Sequence, residues 1–155
     1  MDYKVSVVGG GISGALAALY LGKSRVKTCL IDRGKPSQRL SNPYIGKTTS
    51  LNLSSIASLR DVGIWEDIKK NAQEFNEIYV WDAEGSSSVQ FNAEEISRND
   101  LGVIVHNNII LESIYSKLEQ ISEVTLIEEE SLKEISQDQN KIELTSDSGL
   151  RIASE

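Results

Sequence analysis

The sequence predicts an α/β fold that opens with a β–α–β unit, and three observations carry that prediction. The apolar run Val5–Val8 has the length and composition of a buried strand. Glycines at positions 9, 11 and 14 then lead into residues 15–21, whose alanines and leucines favour a helix. A second apolar run, Thr28–Ile31, ends in Asp32. Two strands joined through one helix are expected to pair in parallel.

The glycine spacing G-x-G-x-x-G in this context is typical of dinucleotide binding. Gly9 permits a tight turn out of the strand, and Gly11 lets the backbone approach a pyrophosphate closely. Gly14 allows the helix to lie near the sheet. The first turn of the helix, which includes Ile12 and Ser13, points its N–H groups and its positive dipole end at the phosphates.

Asp32 follows the second strand, where a carboxylate can accept hydrogen bonds from a ribose hydroxyl. A negative charge at this place repels a 2′-phosphate, so we expect NADP to be disfavoured. The alternative is a glycine-rich turn that serves only the fold. The strand, the helix and the acid together favour nucleotide binding over that alternative.

Composition restricts the class of protein. The chain has 155 residues, a formal net charge of −7 and one cysteine. The negative charge argues against nucleic-acid binding, and one cysteine excludes a disulfide framework. We interpret Cys29 as a small buried hydrophobe within a strand. No signal peptide and no apolar run long enough for an integral membrane segment are expected.

The rest of the chain predicts further alternating helices and strands. A polar connection should run from Arg33 to about Thr49, followed by a helix over residues 50–62 that ends at Gly63. We expect a short helix at 64–68, a helix from Asn107 capped by Asn107 or Asn108, and an apolar helix face of Ile110, Ile114, Leu118 and Ile121. Predicted strands cover residues 78–81, 88–91, 124–127, 132–135, 141–145 and 150–152.

Several segments together resemble a known family. They are the opening residues 7–14, residues 48–51 with 62–65, residues 80–83, residues 101–107, and the helix and strand between 110 and 127. The chain resembles the N-terminal part of the flavin-dependent aromatic hydroxylases, in particular the ubiquinone-biosynthesis monooxygenases. The resemblance extends over essentially the whole chain, and over the first third to two fifths of a family member.

The resemblance implies FAD as the cofactor. It implies a monooxygenase reaction with NAD(P)H as electron donor and an aromatic or prenylated phenol as substrate. The flavin supplies that chemistry, so we expect no catalytic side chain and no metal ligand. The expected cofactor-binding residues are Gly9, Gly11, Ile12, Ser13, Gly14, Asp32, Arg33 and Lys47.

The chain also departs from the family pattern. Lys47 stands where the family has an arginine near the flavin, Asn108 replaces another arginine, and Leu111 replaces a glutamine. The second flavin motif of the family would lie beyond Glu155. We therefore expect residues 1–155 to form a partial FAD/NAD(P)-type domain, truncated before that motif, with a β-rich excursion at about 75–106 towards the substrate region.

Three functions remain open at this point. The first is the FAD-binding part of a hydroxylase in ubiquinone biosynthesis, inactive alone and completed by a C-terminal partner chain. The second is a truncated or decayed non-catalytic nucleotide-binding protein, and the third is a small NAD-binding module. For the first we expect a cytoplasmic protein, peripheral to the inner membrane.

Other conspicuous residues favour structural roles. We expect His106 to be solvated or packed, and Trp65 and Trp81 to lie in the core. The acidic run at residues 128–130 is more typical of a solvated turn than of a metal site.

Overall fold

The computed structural model describes residues 2–35, 46–138 and 141–155. Most of the predicted polar connection, residues 36–45, therefore lies outside the described residues. The strands are β1 (Asp2–Tyr3), β2 (Val5–Val8), β3 (Thr28–Ile31), β4 (Thr48–Asn52), β5 (Gln73–Phe75), β6 (Glu77–Trp81), β7 (Ser88–Asn92), β8 (Gly102–His106), β9 (Val124–Ile127), β10 (Leu132–Gln137), β11 (Ile142–Ser146) and β12 (Arg151–Ser154). The helices are α1 (Ile12–Lys23), α2 (Leu53–Asp61), α3 (Trp65–Lys69) and α4 (Asn107–Leu118), and a 3₁₀ turn covers Ala93–Ile96.

A parallel sheet of order β2–β3–β9 forms the centre of the fold. Val5 pairs with Thr28, and Thr28 in turn pairs with Val124. Helices α1 and α4 pack against each other over this sheet. The predicted α/β class and its β–α–β opening are confirmed.

Strand β3 is buried on both faces, which explains its continuous apolar run. Leu30 packs into the core beneath the helices. Cys29 and Ile31 point to the opposite face, into a second core against the antiparallel sheet β10–β11–β12, which β1 extends in parallel. The fold is thus layered as helices, parallel sheet and antiparallel sheet.

Cys29 is fully buried, as its position in the sequence predicts. Burial raises the pKa of its thiol, so the reactive thiolate is disfavoured.

The predicted helix at residues 50–62 begins later than expected. Residues 48–52 form β4, which pairs with β8, and helix α2 starts at Leu53. The side chain of Asn52 accepts a hydrogen bond from Ser55 N at 2.8 Å and so caps the helix. Pairing with β8, a strand that local periodicity did not predict, extends the residues before Asn52.

The predicted caps of α4 were wrong. Its N-cap is His106, which makes no capping side-chain bond. The Asn107 amide oxygen instead accepts a hydrogen bond from the Thr49 hydroxyl at 2.5 Å, so this side chain ties the helix to β4. The expected apolar face is confirmed for Ile110 and Ile114, which are fully buried.

The two tryptophans differ in exposure. Trp65 is only 3% exposed, as predicted, whereas Trp81 is 66% exposed, so its predicted core position was wrong. Trp81 lies on the β6–β7 hairpin and stacks on Tyr79, with ring centroids 5.7 Å apart. All five residues of β6 are exposed, because the described residues place no other layer on this hairpin.

Candidate nucleotide site

The turn after β2 has the geometry that its glycines predict. Gly9 has a φ of +101°, a left-handed conformation that favours glycine. A Cβ on Gly14 would overlap the Gly9 carbonyl oxygen, so only glycine allows α1 to approach the turn this closely. The spacing of these two glycines is therefore a steric requirement of the turn itself.

Gly11 fits a different requirement. Its backbone is extended at φ −69°, and a Cβ built there would meet no atom within 4 Å. Helix α1 begins immediately after it, with no side-chain cap and no acidic residue in its first turn. Open space next to a helix N-terminus suits an anionic group such as a pyrophosphate. The residues present fit the diphosphate expected of FAD or another dinucleotide.

Asp32 is 8% exposed and holds two loops together. Its Oδ2 accepts a hydrogen bond from Gly10 N at 2.7 Å, and its Oδ1 accepts one from Gly34 N at 2.8 Å. Asp32 therefore has a structural role in addition to its predicted role at a ribose hydroxyl.

Gly10 is fixed from a second side as well. The hydroxyl of Tyr115, on α4, donates a hydrogen bond to the Gly10 carbonyl at 2.9 Å. A Cβ on Gly10 would overlap that hydroxyl and would lie 3.2 Å from Asp32. Sequence reasoning missed both Gly10 and Tyr115. The available signal was a second buried column on α4, formed by Leu111 and Tyr115 beside the predicted apolar face.

A cavity of about 320 Å³ opens at the carboxyl ends of β2 and β3. In open α/β sheets, ligands bind at this end of the strands. The lining residues are Val8, Gly9, Ile31, Asp32, Arg33, Glu130, Ser131 and Leu132. The structure thus brings together three of the predicted residues, Gly9, Asp32 and Arg33. It adds the segment 130–132, which the sequence did not indicate.

The three glutamates of the acidic run at residues 128–130 differ in their exposure. Glu128 and Glu129 are exposed, as expected for a solvated turn, and Glu129 pairs with Lys35 at 2.7 Å. Glu130 is half-buried and lines the cavity. Within the part of the chain that the structure describes, no three acidic, histidine or cysteine side chains are grouped as a metal site.

Lys47 is exposed and directly precedes β4. Its carbonyl accepts a hydrogen bond from Asn107 N at 2.9 Å, which places it beside the start of α4. Its expected contact with the flavin stays a prediction. No helix within the described ranges is long and apolar enough to cross a membrane.

Comparison with known proteins identifies relatives. The FAD binding domain family matches residues 2–146. The mitochondrial ubiquinone biosynthesis monooxygenase COQ6 of Dictyostelium discoideum is 31% identical over 147 residues, which cover 84% of this chain and 30% of that protein. The 3-demethoxyubiquinol 3-hydroxylase of Escherichia coli K12 is 25% identical over 126 residues, covering 79% of this chain and 32% of the enzyme.

A solved structure shows the same fold. The flavin-dependent monooxygenase PieE, in complex with FAD and substrate, matches with a TM-score of 0.77 at 16% identity, covering 99% of this chain and 29% of that chain. The chain therefore spans about a third of the length of the proteins it matches.

Proposed function

The chain belongs to the FAD binding domain family, and from that membership we propose that it is the ADP-binding part of a flavin-dependent monooxygenase. The observation that carries the proposal is the open space at Gly11 beside the uncapped start of α1. It adjoins a turn whose Gly9 and Asp32 line one cavity. In this arrangement the diphosphate lies at the N-terminus of α1, and a ribose hydroxyl lies at the carboxylate of Asp32.

Each part of this site has a separate task. The N-terminus of α1 attracts and orients the diphosphate through its dipole and its N–H groups. Asp32 holds the glycine turn in shape, and it lines the cavity at the carboxyl end of β3, where a ribose hydroxyl can donate to a carboxylate. When bound, FAD supplies the electron transfer and oxygen chemistry, so no side chain of this chain is required as an acid, base or nucleophile. Lys47 and Arg33 contribute positive charge towards the cofactor.

The substrate that we propose is an aromatic quinone precursor such as a prenylated phenol. Its support is the similarity to a ubiquinone biosynthesis monooxygenase and to a demethoxyubiquinol hydroxylase. Tyr79 and Trp81, on the β6–β7 hairpin, line an open depression of about 540 Å³ together with Asp82 and three serines. NAD(P)H is the proposed electron donor. We propose a cytoplasmic location, peripheral to the inner membrane.

We further propose that hydroxylation requires a C-terminal portion supplied by a partner chain. The chain spans about a third of its relatives, and its hairpin exposes Ile78, Val80, Val89 and Phe91 as well as both stacked aromatic rings. Surfaces of this kind in a monomer indicate contact with further protein.

The test has two stages. Calorimetric titration of the 155-residue chain with FAD, ADP, NAD and NADP should give binding of FAD and ADP, with NADP weakest. NAD(P)H oxidation coupled to phenol hydroxylation is then measured for the chain alone and with the C-terminal portion of a full-length relative. Activity only on mixing supports the split enzyme. Silence in both with FAD bound favours a decayed protein, and NAD bound in preference to FAD favours the small NAD-binding module.

A further inference from the structure

The loop that follows β9 forms part of the cavity wall, and it is hydrogen-bonded to the loop that follows β3. Glu130 N donates a hydrogen bond to the Asp32 carbonyl at 3.1 Å, and Glu129 N donates one to the Gly34 carbonyl at 3.3 Å. These bonds place residues 129–130 directly beside the backbone of Asp32 and Gly34. Glu130 consequently lines the same cavity as the ribose-side carboxylate.

The side chain of Glu130 is held from the antiparallel sheet. The Ser148 hydroxyl, in the turn between β11 and β12, donates a hydrogen bond to Glu130 Oε1 at 2.6 Å. The buried Ser146 hydroxyl lies 3.0 Å from that of Ser148, and Asp147 N donates to the Ser131 carbonyl at 2.9 Å. The tight turn therefore positions both the carboxylate and the backbone of the cavity wall.

The cavity combines these carboxylates with apolar side chains. Val8, which is half exposed, and the partly buried Leu132 offer surface for the faces of a flat ring. An adenosine carries hydrogen-bond donors at its exocyclic amine and at its 2′- and 3′-hydroxyls. An ionised carboxylate is a strong acceptor for any of them.

We infer that Glu130 is a second adenosine-binding carboxylate, positioned by Ser148, which accepts a hydrogen bond from the exocyclic amine or from a ribose hydroxyl. The inference rests on the proposed nucleotide-binding function and adds a specificity residue to it. Hydrogen bonding by Ser146 and Ser148 also lowers the pKa of Glu130, which keeps it ionised at neutral pH.

The test is a matrix of variants and nucleotides, measured by calorimetric titration of the 155-residue chain. Wild type, Glu130→Ala, Glu130→Gln and Ser148→Ala are each titrated with ADP, IDP, 2′-deoxy-ADP and 3′-deoxy-ADP. We expect Glu130→Ala to weaken ADP binding at least fivefold and Ser148→Ala to weaken it less. The loss should vanish with the one analogue that lacks the bonded donor, IDP for the amine or a deoxy-ADP for a hydroxyl.

Glu128→Gln is the matched control, because it makes the same charge change on an exposed residue of the same loop. Its affinities should equal those of wild type. If Glu130→Ala does not fold, the isosteric Glu130→Gln, which removes the charge but keeps one acceptor oxygen, should give smaller losses with the same dependence on the nucleotide. Unchanged ADP binding by the Glu130 variants, or an equal loss with all four nucleotides, would overturn the inference. Failure of wild type to bind both ADP and FAD would instead overturn the proposed function.

Discussion

The Tyr115 hydroxyl lies 2.9 Å from the Gly10 carbonyl oxygen, and 105 positions of sequence separate the two residues. Asp32 holds the amide of the same glycine from the other side at 2.7 Å. Helix α4 and the residue that follows strand β3 thus hold one glycine of the nucleotide turn through the two peptide units on either side of it. The shape of the candidate site depends on the packing of α4 as well as on the glycine spacing.

Tyr115→Phe should therefore weaken nucleotide binding without creating a cavity in the core, because the ring is retained and only the hydroxyl is lost. Loss of one hydrogen bond to the turn should cost about 1 kcal/mol of stability and about fivefold in ADP affinity. Thermal unfolding and calorimetric titration measure the two effects. Tyr20→Phe is the control, because the Tyr20 hydroxyl donates to the Ser58 carbonyl at 2.8 Å on the surface. Equal ADP affinities for the two variants would contradict the role of Tyr115.

Gly11→Val and Gly14→Ala should separate binding from folding. A side chain at Gly11 meets open space, so the fold should persist while ADP affinity falls more than about tenfold, or 1.4 kcal/mol. A methyl group at Gly14 overlaps the Gly9 carbonyl, so this variant should unfold at a lower temperature. Circular dichroism melts and titrations distinguish the two. A folded Gly11→Val that binds ADP like wild type would show that the open space is not used.

Asp32→Ala should affect the fold as well as binding. It leaves the N–H groups of Gly10 and Gly34 without their acceptor, at a cost of about 1–3 kcal/mol each. Asp32→Asn keeps one amide oxygen and should lose less. Asp67→Ala, which removes an exposed ion pair with Lys70, should change stability by less than about 1 kcal/mol. Denaturant unfolding measures all three, and an Asp32→Ala variant as stable as wild type would refute the bridging role.

The Glu130–Ser148 contact should give a pH-dependent stability. Because the pKa of Glu130 is lowered in the folded chain, the unfolded chain takes up its proton first as the pH falls. The contribution is then present at neutral pH and lost between about pH 5 and pH 3. The melting-temperature difference between wild type and Glu130→Gln should shrink over that range. Glu95→Gln is the control, because it makes the same charge change at another position. A melting-temperature difference between wild type and Glu130→Gln that stays constant with pH would contradict the prediction.

The chain alone should self-associate through its hairpin. On one face of the hairpin Ile78 pairs with Phe91 and Val80 with Val89, and all four side chains are exposed. Replacing Ile78 and Phe91 together by threonine keeps strand propensity but removes apolar area. Light scattering should show concentration-dependent association of wild type and less of it in this variant. Ser88→Thr, on the same hairpin, is the control. A wild-type chain that stays monomeric at high concentration would count against the proposal that the β6–β7 hairpin contacts a partner.

Local sequence determined the β–α–β opening and the nucleotide turn. The conformation of Gly9, the contact between Gly14 and the turn, and the apolar run of β3 are each decided within about 30 residues. Short-range sterics and hydrophobic periodicity are enough to specify such features. The family resemblance added the cofactor class, because its segments recur in order along the chain.

Tertiary structure alone decided the rest. The grip of Tyr115 on Gly10 and the placement of Glu130 by Ser148 join different layers of the fold. The extended conformation of β4 depends on its pairing with β8, and the exposure of Trp81 depends on whether another layer covers its hairpin. Hydrophobic periodicity shows only that a residue is apolar. Contacts between distant segments follow from how the layers pack, which no local pattern of one sequence encodes.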